Sequence, residues 1–323
     1  MAMSDGTAKD EKPAADEAVP TNRLRPANSQ PGNPSPGNAG PIAVVLPEAQ
    51  LAPLLLASPH SGAQYSDEFL AAAKLDLATL RQSEDCYVDE LIAGGPGLGV
   101  PVLRALFPRV FVDANREAFE LDPAMFEDAL PAHANAASPR VAAGLGMIPR
   151  YAANDREIYR RKLNYAEAEA RIAGFYRPYH RALKDLIRAT RERFGLCLLL
   201  DCHSMPSVGG AADKDRGRVR VDYVLGDCFG ASCADAVTAM AERHFRDGGA
   251  HVRRNNPYSG GYITQHYGKP AEGVHVLQIE INRSLYMDER TLQRSEGFDG
   301  VKRSIDGLIE LLKANALDIM RRR

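Results

Sequence analysis

No excess of charge marks this chain: 40 lysines and arginines stand against 42 aspartates and glutamates in 323 residues, a formal net charge of -2. A broad nucleic-acid footprint or an electrostatic partnership with an anionic membrane calls for a basic balance, so neither partner is expected. No apolar run approaches the ~20 residues that cross a bilayer. The opening Met1-Ala2-Met3-Ser4-Asp5-Gly6 lacks the charged-then-apolar pattern of a secretory signal. There is no Cys-x-x-Cys pair, and the five cysteines (Cys86, Cys197, Cys202, Cys228, Cys233) are odd in number. Three of them lie in or beside apolar segments, so buried reduced thiols are expected rather than disulfides, and a cytoplasmic location with them. No internal repeat is visible.

Large apolar side chains are nearly missing from residues 1 to about 40, which are rich in Pro, Ala, Gly, Asn and Asp. Such a segment cannot bury enough surface to offset its ordering entropy. We expect a disordered tail there and a single domain over residues 41–323, its first structured residues near Ile42. The overall hydrophobic content of 45% is enough for that domain.

What is present is a set of apolar runs that end in reactive side chains. Gly195 opens Leu196-Cys197-Leu198-Leu199-Leu200, which stops in Asp201-Cys202-His203-Ser204. A run of this kind reads as a strand buried on both faces, as in a parallel sheet. Leu54-Leu55-Leu56-Ala57-Ser58-Pro59-His60-Ser61-Gly62 repeats the design, and residues 274–280 form another apolar strand, ending in Glu280. Further strands are expected at 42–46, 100–106, 109–113 and 219–225, with the second and third of these paired. Helices are expected at 67–73, 84–92, 155–194 with a break at Pro178, and 232–244, and a C-terminal amphipathic helix carries Ile305, Leu308, Leu311 and Leu312. Residues 117–150 show no period and hold four prolines, the mark of a lid or binding loop. The fold class is therefore α/β, a three-layer, mixed, mainly parallel sheet with helices on both faces.

In open α/β sheets the chemistry sits beyond the carboxyl ends of the strands. His60 and His203 both stand there. For either histidine alone a capped, hydrogen-bonded strand end is the plainer reading; two in one chain point to a metal site. Catalytic zinc takes three protein ligands and leaves one position for water. Glu84 and Asp85 are the candidates for the third, although a carboxylate in that place also suits a helix start. Asp201 is placed to orient an imidazole from behind. His133, His180, His244, His251 and His275 sit in poorer settings, and His266, beside Thr264 and Tyr267, is a pocket residue more than a ligand. Glu280 is expensive to bury unless paired or functional, and suits a general base. Arg116, after Asn115, offers a planar fork for a substrate carboxylate or, equally, an ion pair with Asp113 or Glu117.

These segments together resemble the N-formylglutamate amidohydrolase family. The resemblance is carried by Ser58-Pro59-His60-Ser61-Gly62, Glu84-Asp85, Phe111-Val112-Asp113-Ala114-Asn115-Arg116 and Tyr179-His180-Arg181-Ala182-Leu183. It continues through Asp201-Cys202-His203-Ser204, Gly260-Gly261-Tyr262-Ile263-Thr264-Gln265-His266-Tyr267-Gly268 and Val276-Leu277-Gln278-Ile279-Glu280-Ile281-Asn282-Arg283. It implies a zinc-peptidase, carboxypeptidase-like architecture, with His60, Asp85 and His203 on one Zn2+ and Glu280 as the catalytic base. Ala63 stands where the carboxypeptidase pattern has glutamate, so the acidic ligand comes from the later segment, and Asp85 matches the family better than Glu84. Substrate contacts are expected from Asn115, Arg116, Gly260, Gly261, Thr264, His266 and Arg283, with His266 and Arg283 the candidates for the oxyanion. Cys202 should point away from the site, because side chains alternate along a strand.

The implied activity is hydrolysis of a small N-acyl amino acid, N-formyl-L-glutamate first, to formate and glutamate. Another N-acyl-amino-acid or peptidoglycan-type amidase is the alternative, and a non-catalytic binding module requires the metal or the base to be missing. Removing residues 1–40 should leave the melting temperature and turnover nearly unchanged; a drop of several degrees would show instead that the tail packs on the domain.

Overall fold

The computed structural model describes residues 40–152, 155–210, 213 and 215–321, so the tail expected over residues 1 to about 40 lies, apart from Gly40, outside the described residues. The chain forms β1 (Ile42–Val45), β2 (Leu54–Ser58), the short helices α1 (Asp67–Ala72), α2 (Leu77–Arg81) and α3 (Val88–Leu91), then β3 (Val102–Ala105). A long irregular stretch with the one-turn helix α4 (Pro139–Ala142) leads to a hairpin of β4 (Tyr151–Ala152) and β5 (Arg156–Glu157). Helices α5 (Tyr165–Arg171) and α6 (Arg177–Phe194) feed β6 (Cys197–Met205), followed by β7 (Tyr223–Gly226), α7 (Asp235–Asp247) and β8 (Val252–Arg254). Helix α8 (Tyr262–Tyr267), β9 (Val274–Asn282), the hairpin β10 (Met287–Asp288) and β11 (Gln293–Arg294), and α9 (Phe298–Arg321) complete it.

Seven strands make one sheet in the order β1-β3-β2-β6-β9-β7-β8. Strands β3, β2, β6 and β9 run parallel, while β1 and β7 join them antiparallel. Every residue of β6 and β9 is buried. Alternation then splits each strand between two cores. Leu198, Leu200 and Cys202 pack on one face with Val88 of α3, Phe245 of α7 and Leu308 of α9. Cys197 and Leu199 pack on the other with Phe69 of α1, Leu80 of α2 and Leu183 of α6. Helices on both faces of a parallel-centred sheet give the three layers expected. In α9 the buried positions Val301, Ile305, Leu308, Leu312, Ala316 and Met320 recur at three and four, with Ile309 rather than Leu311 fully inside. No described helix is long and apolar enough to cross a membrane.

Several elements differ from expectation for identifiable reasons. Residues 109–113 are turns, not a strand: β3 already has β1 on one side and β2 on the other, so no edge is left to pair. The amides of Phe111 and Val112 bond back to Pro108 O instead. The helix expected at 84–92 shrinks to α3, because Tyr87 takes a left-handed φ of 65° and the Asp85 amide is drawn to His60 O at 3.0 Å. Pro178 does not end the 155–194 helix; it sits in the first turn of α6, after a wide turn over Ile172–Tyr176 that absorbs its missing donor. Residues 156–164 are not helical, and Val219, 83% exposed, lies outside β7.

Candidate metal centre and active site

Register assembles the reactive groups. β6 pairs with β9 so that His203 lies beside Glu280 and Asp201 beside Gln278, all four pointing to the face of Leu199. Cys202 points to the opposite core, as expected from alternation. Strand β2 lies parallel on the other side of β6, with Ala57 opposite Asp201, so His60 emerges at the same carboxyl rim.

Three side chains converge there. His203 Nδ1 is 3.1 Å from His60 Nδ1 and 3.1 Å from Asp85 Oδ2, and His60 Nδ1 is 3.4 Å from that oxygen. All three residues are at most 2% exposed. Tetrahedral ligation at ~2.0–2.1 Å sets donor atoms roughly 3.3 Å apart, so this donor set fits a small divalent cation. The ring centroids, 4.8 Å apart, are close enough for both imidazoles to share one ion. Glu84 turns elsewhere: its two oxygens each lie 3.2 Å from Arg81 Nε, and one accepts from Cys86 Sγ at 3.3 Å.

Each imidazole has a carboxylate at its far nitrogen. His60 Nε2 is 2.7 Å from Asp113 Oδ1, and His203 Nε2 is 3.2 Å from Asp201 Oδ2. That arrangement leaves both Nδ1 atoms turned to the centre. Asp113 is held in turn by Arg109 at 2.9 Å and Arg116 at 3.6 Å. Burial alone would raise the carboxyls of Asp85 and Asp113, but charge wins. Hydrogen bonds from His203 and His60, with Arg109, hold Asp85 well below the usual carboxylate range. Arg116, His60 and Arg109 do the same for Asp113. Burial works against protonation of His203, and the Asp201 and Asp85 carboxylates outweigh it, so its pKa lies well above that of a free imidazole.

Glu280 is different. Burial pushes it up to about 7, against the opposing pull of His203 and with a further push from Asp85. Gln278 donates to its Oε1 at 2.8 Å, and Gln278 Oε1 accepts from the Gly261 amide at 2.7 Å and the Thr264 hydroxyl at 3.2 Å. Gly261 and Thr264 therefore reach the carboxyl through Gln278. Asn115 accepts from the Ile263 amide at 2.7 Å and puts its Nδ2 3.3 Å from His203 Nε2. A Cβ on Gly261 would come within 2.2 Å of that Nδ2, so the contact demands glycine. Gly260 adopts φ +129°, a conformation that side chains rarely take.

The remaining expected residues are spread more widely. Arg116 donates to Asn115 O at 2.8 Å and Leu145 O at 2.9 Å, besides its approach to Asp113. His266 is exposed on α8, stacked on Tyr262 with centroids 4.8 Å apart. Arg283 is buried with its donors directed to Ser204, Gln82 and Asp85. Sequence reasoning overlooked Arg109, Gln278 and the part played by His180. Gln278 was findable, since two residues upstream in a strand means the same face. Burial pushes His180 down to about 4, so it is neutral; its Nε2–H donates to Ala114 O at 2.9 Å and its Nδ1 accepts from Tyr267 at 2.8 Å. That pins the backbone next to Asn115.

The donor triangle and the raised carboxyl thus stand at the carboxyl rim of a parallel-centred α/β sheet, where the chemistry of such sheets is placed. The model of the N-formylglutamate amidohydrolase family matches residues 52–287, and the chain belongs to that family. An N-formylglutamate deformylase from Pseudomonas aeruginosa is 31% identical over 269 residues, 81% of this chain and 93% of that one. A second, from Pseudomonas putida, is 29% identical over 242 residues, 73% of this chain and 82% of its own length. The crystal structure of N-formylglutamate amidohydrolase from Ralstonia eutropha aligns with a TM-score of 0.79 at 36% identity, covering 85% of this chain and 98% of that one.

The raised pKa of Glu280 makes its ionisation a cost to the metal-free fold, absent below about 4.5 and complete above about 7. Glu280→Gln cannot ionise. Its stability relative to wild type, from thermal unfolding in chelator, should rise across that interval and then level off. A pH-independent offset would contradict the buried, raised carboxyl.

Proposed function

We propose that this chain hydrolyses N-formyl-L-glutamate to formate and L-glutamate, using one divalent metal, zinc in the first instance, held by His60, Asp85 and His203. The observation that carries the reading is a tetrahedrally spaced donor triangle with a near-neutral carboxyl in register beside it, in a chain of this family. When bound, the cation would supply Lewis acidity, polarising the formyl oxygen and bringing the pKa of water towards neutrality. Glu280 accepts a proton from the attacking water and hands it to the amine nitrogen as the C–N bond breaks. A group that must first accept and then donate works best with a pKa near the operating pH. Gln278 keeps Glu280 oriented through its 2.8 Å hydrogen bond. Arg116, with Asn115, holds a substrate carboxylate, for which its long 3.6 Å approach to Asp113 can be exchanged. The five cysteines are all free, which suits a reducing, cytoplasmic setting.

Formate release assayed across N-formyl and N-acetyl amino acids, with and without added metal, tests this directly. N-formylglutamate should be the best substrate and chelation should abolish turnover; preference for an acetylated amino acid would move the chain to a neighbouring amidase activity. No metal-dependent release from any of them would sink the enzymatic reading. Glu280→Gln should bind substrate while losing ~10²–10⁴-fold in kcat, the usual share of a proton-transfer group. Arg116→Ala should act mainly on KM, and Arg116→Lys should restore it incompletely for want of the planar fork. An unchanged KM in Arg116→Ala would assign the carboxylate to another group.

A further inference from the structure

Asp85 is the one carboxylate in the donor triangle, and its surroundings divide its two oxygens. Oδ2 faces the histidines, at 3.1 Å from His203 Nδ1 and 3.4 Å from His60 Nδ1. Oδ1 is taken up by other partners: the Ser204 hydroxyl at 3.2 Å, Arg283 Nη2 at 3.2 Å and, more distantly, Arg109 Nη1 at 3.8 Å. Arg283 is itself fixed. Its Nε donates to Ser204 Oγ at 3.0 Å and its Nη1 to the Gln82 carbonyl at 2.9 Å, and the side chain is 9% exposed. The planar guanidinium thus joins three segments: the turn that carries Asp85, the end of β6 that carries His203, and the residues just past β9, three beyond Glu280.

We propose that Arg283 is a positioning residue for the metal centre: it occupies Oδ1 of Asp85 so that a single oxygen, Oδ2, is offered to the cation. The inference rests on the reading of the triangle as a metal site. A free carboxylate can rotate and ligate through one oxygen or both. Here the fork of Arg283, braced by Ser204 and Gln82, removes that freedom before any ion arrives. A lysine in its place could keep the charge but not the three-point brace.

The test separates orientation from charge, because the two predict opposite signs. A guanidinium near the site repels a cation, so on charge alone Arg283→Ala would tighten metal binding. Orientation predicts the reverse. Zn2+ affinity of the metal-stripped full chain is measured by competition with a chromophoric chelator, with the Co2+ absorption spectrum reporting coordination. We expect Arg283→Ala to bind ~10–100-fold more weakly, the usual cost of removing a partner that orients a ligand. Arg283→Lys should recover part of the loss, and Ser204→Ala should weaken binding in the same direction by less. In an Asp85→Ala background, removal of Arg283 should change affinity by less than about threefold, since residues that act through one another are not additive. Wild-type protein that binds no metal would overturn both this inference and the reading beneath it. Wild-type binding with Arg283→Ala unchanged or tighter would overturn this inference alone. If Arg283→Ala fails to fold, as judged by its thermal transition, Arg283→Lys and Ser204→Ala decide the matter, and full affinity in both rejects the brace.

Discussion

Charges withdrawn from water at the end of a buried sheet have to neutralise one another, and the site is built around that requirement. Asp85, Asp113, Asp201 and Glu280 are all buried there, as are His60, His203 and Arg283. An isolated ion in such a place would cost several kcal/mol or would shed its charge. The pairing pattern decides which happens to each. Asp85 and Asp113 have cationic or imidazole partners at hydrogen-bond distance and remain charged. Glu280 has an amide from Gln278 as its close contact and is pushed toward the neutral form. Carboxylates of one buried site are thereby driven to different charge states by their neighbours.

The loop over residues 117–150 belongs to the same network. Asp113 N bonds to Met147 O at 2.8 Å, Met147 N to Glu120 O at 2.7 Å, and Arg116 Nε to Leu145 O at 2.9 Å. Its lack of periodicity follows from this. The segment is ordered by contacts to the residues that flank Asn115 and not by a repeating apolar face, so no helical or strand spacing was available to read.

Much of the arrangement was nevertheless written in the sequence, and the boundary is physical. Strands buried on both faces announce themselves as apolar runs, so β2, β6 and β9 and the side chains at their ends were legible, including His60, His203 and Glu280. Spacing alone left open which of Glu84 and Asp85 faces the histidines, because that depends on Arg81 capturing Glu84 in a turn with no periodic signal; only the family resemblance pointed to Asp85, and Asp85 is the residue in the triangle. Arg109 was invisible for a similar reason. Residues 109–113 have the composition of a strand, and the fact that β3 has no free edge is a property of the whole sheet. Long-range braces such as Arg283 to Asp85, nearly two hundred residues apart in sequence, leave no local trace at all.

The alternation along β6 has a consequence for chemical fidelity. His203 and Cys202 are adjacent, yet the sheet stands between them, with the thiol sealed among Leu200, Leu277 and Ile279. A thiolate is the softer and more avid donor for many transition metals. A slip of one residue in the pairing with β9 would exchange the two, turning the imidazole into the hydrocarbon core and the sulfur toward Asp85. The nine-residue ladder between β6 and β9 therefore sets more than the fold: the hydrogen bonds of the backbone decide whether an imidazole or a thiol is presented beside Asp85.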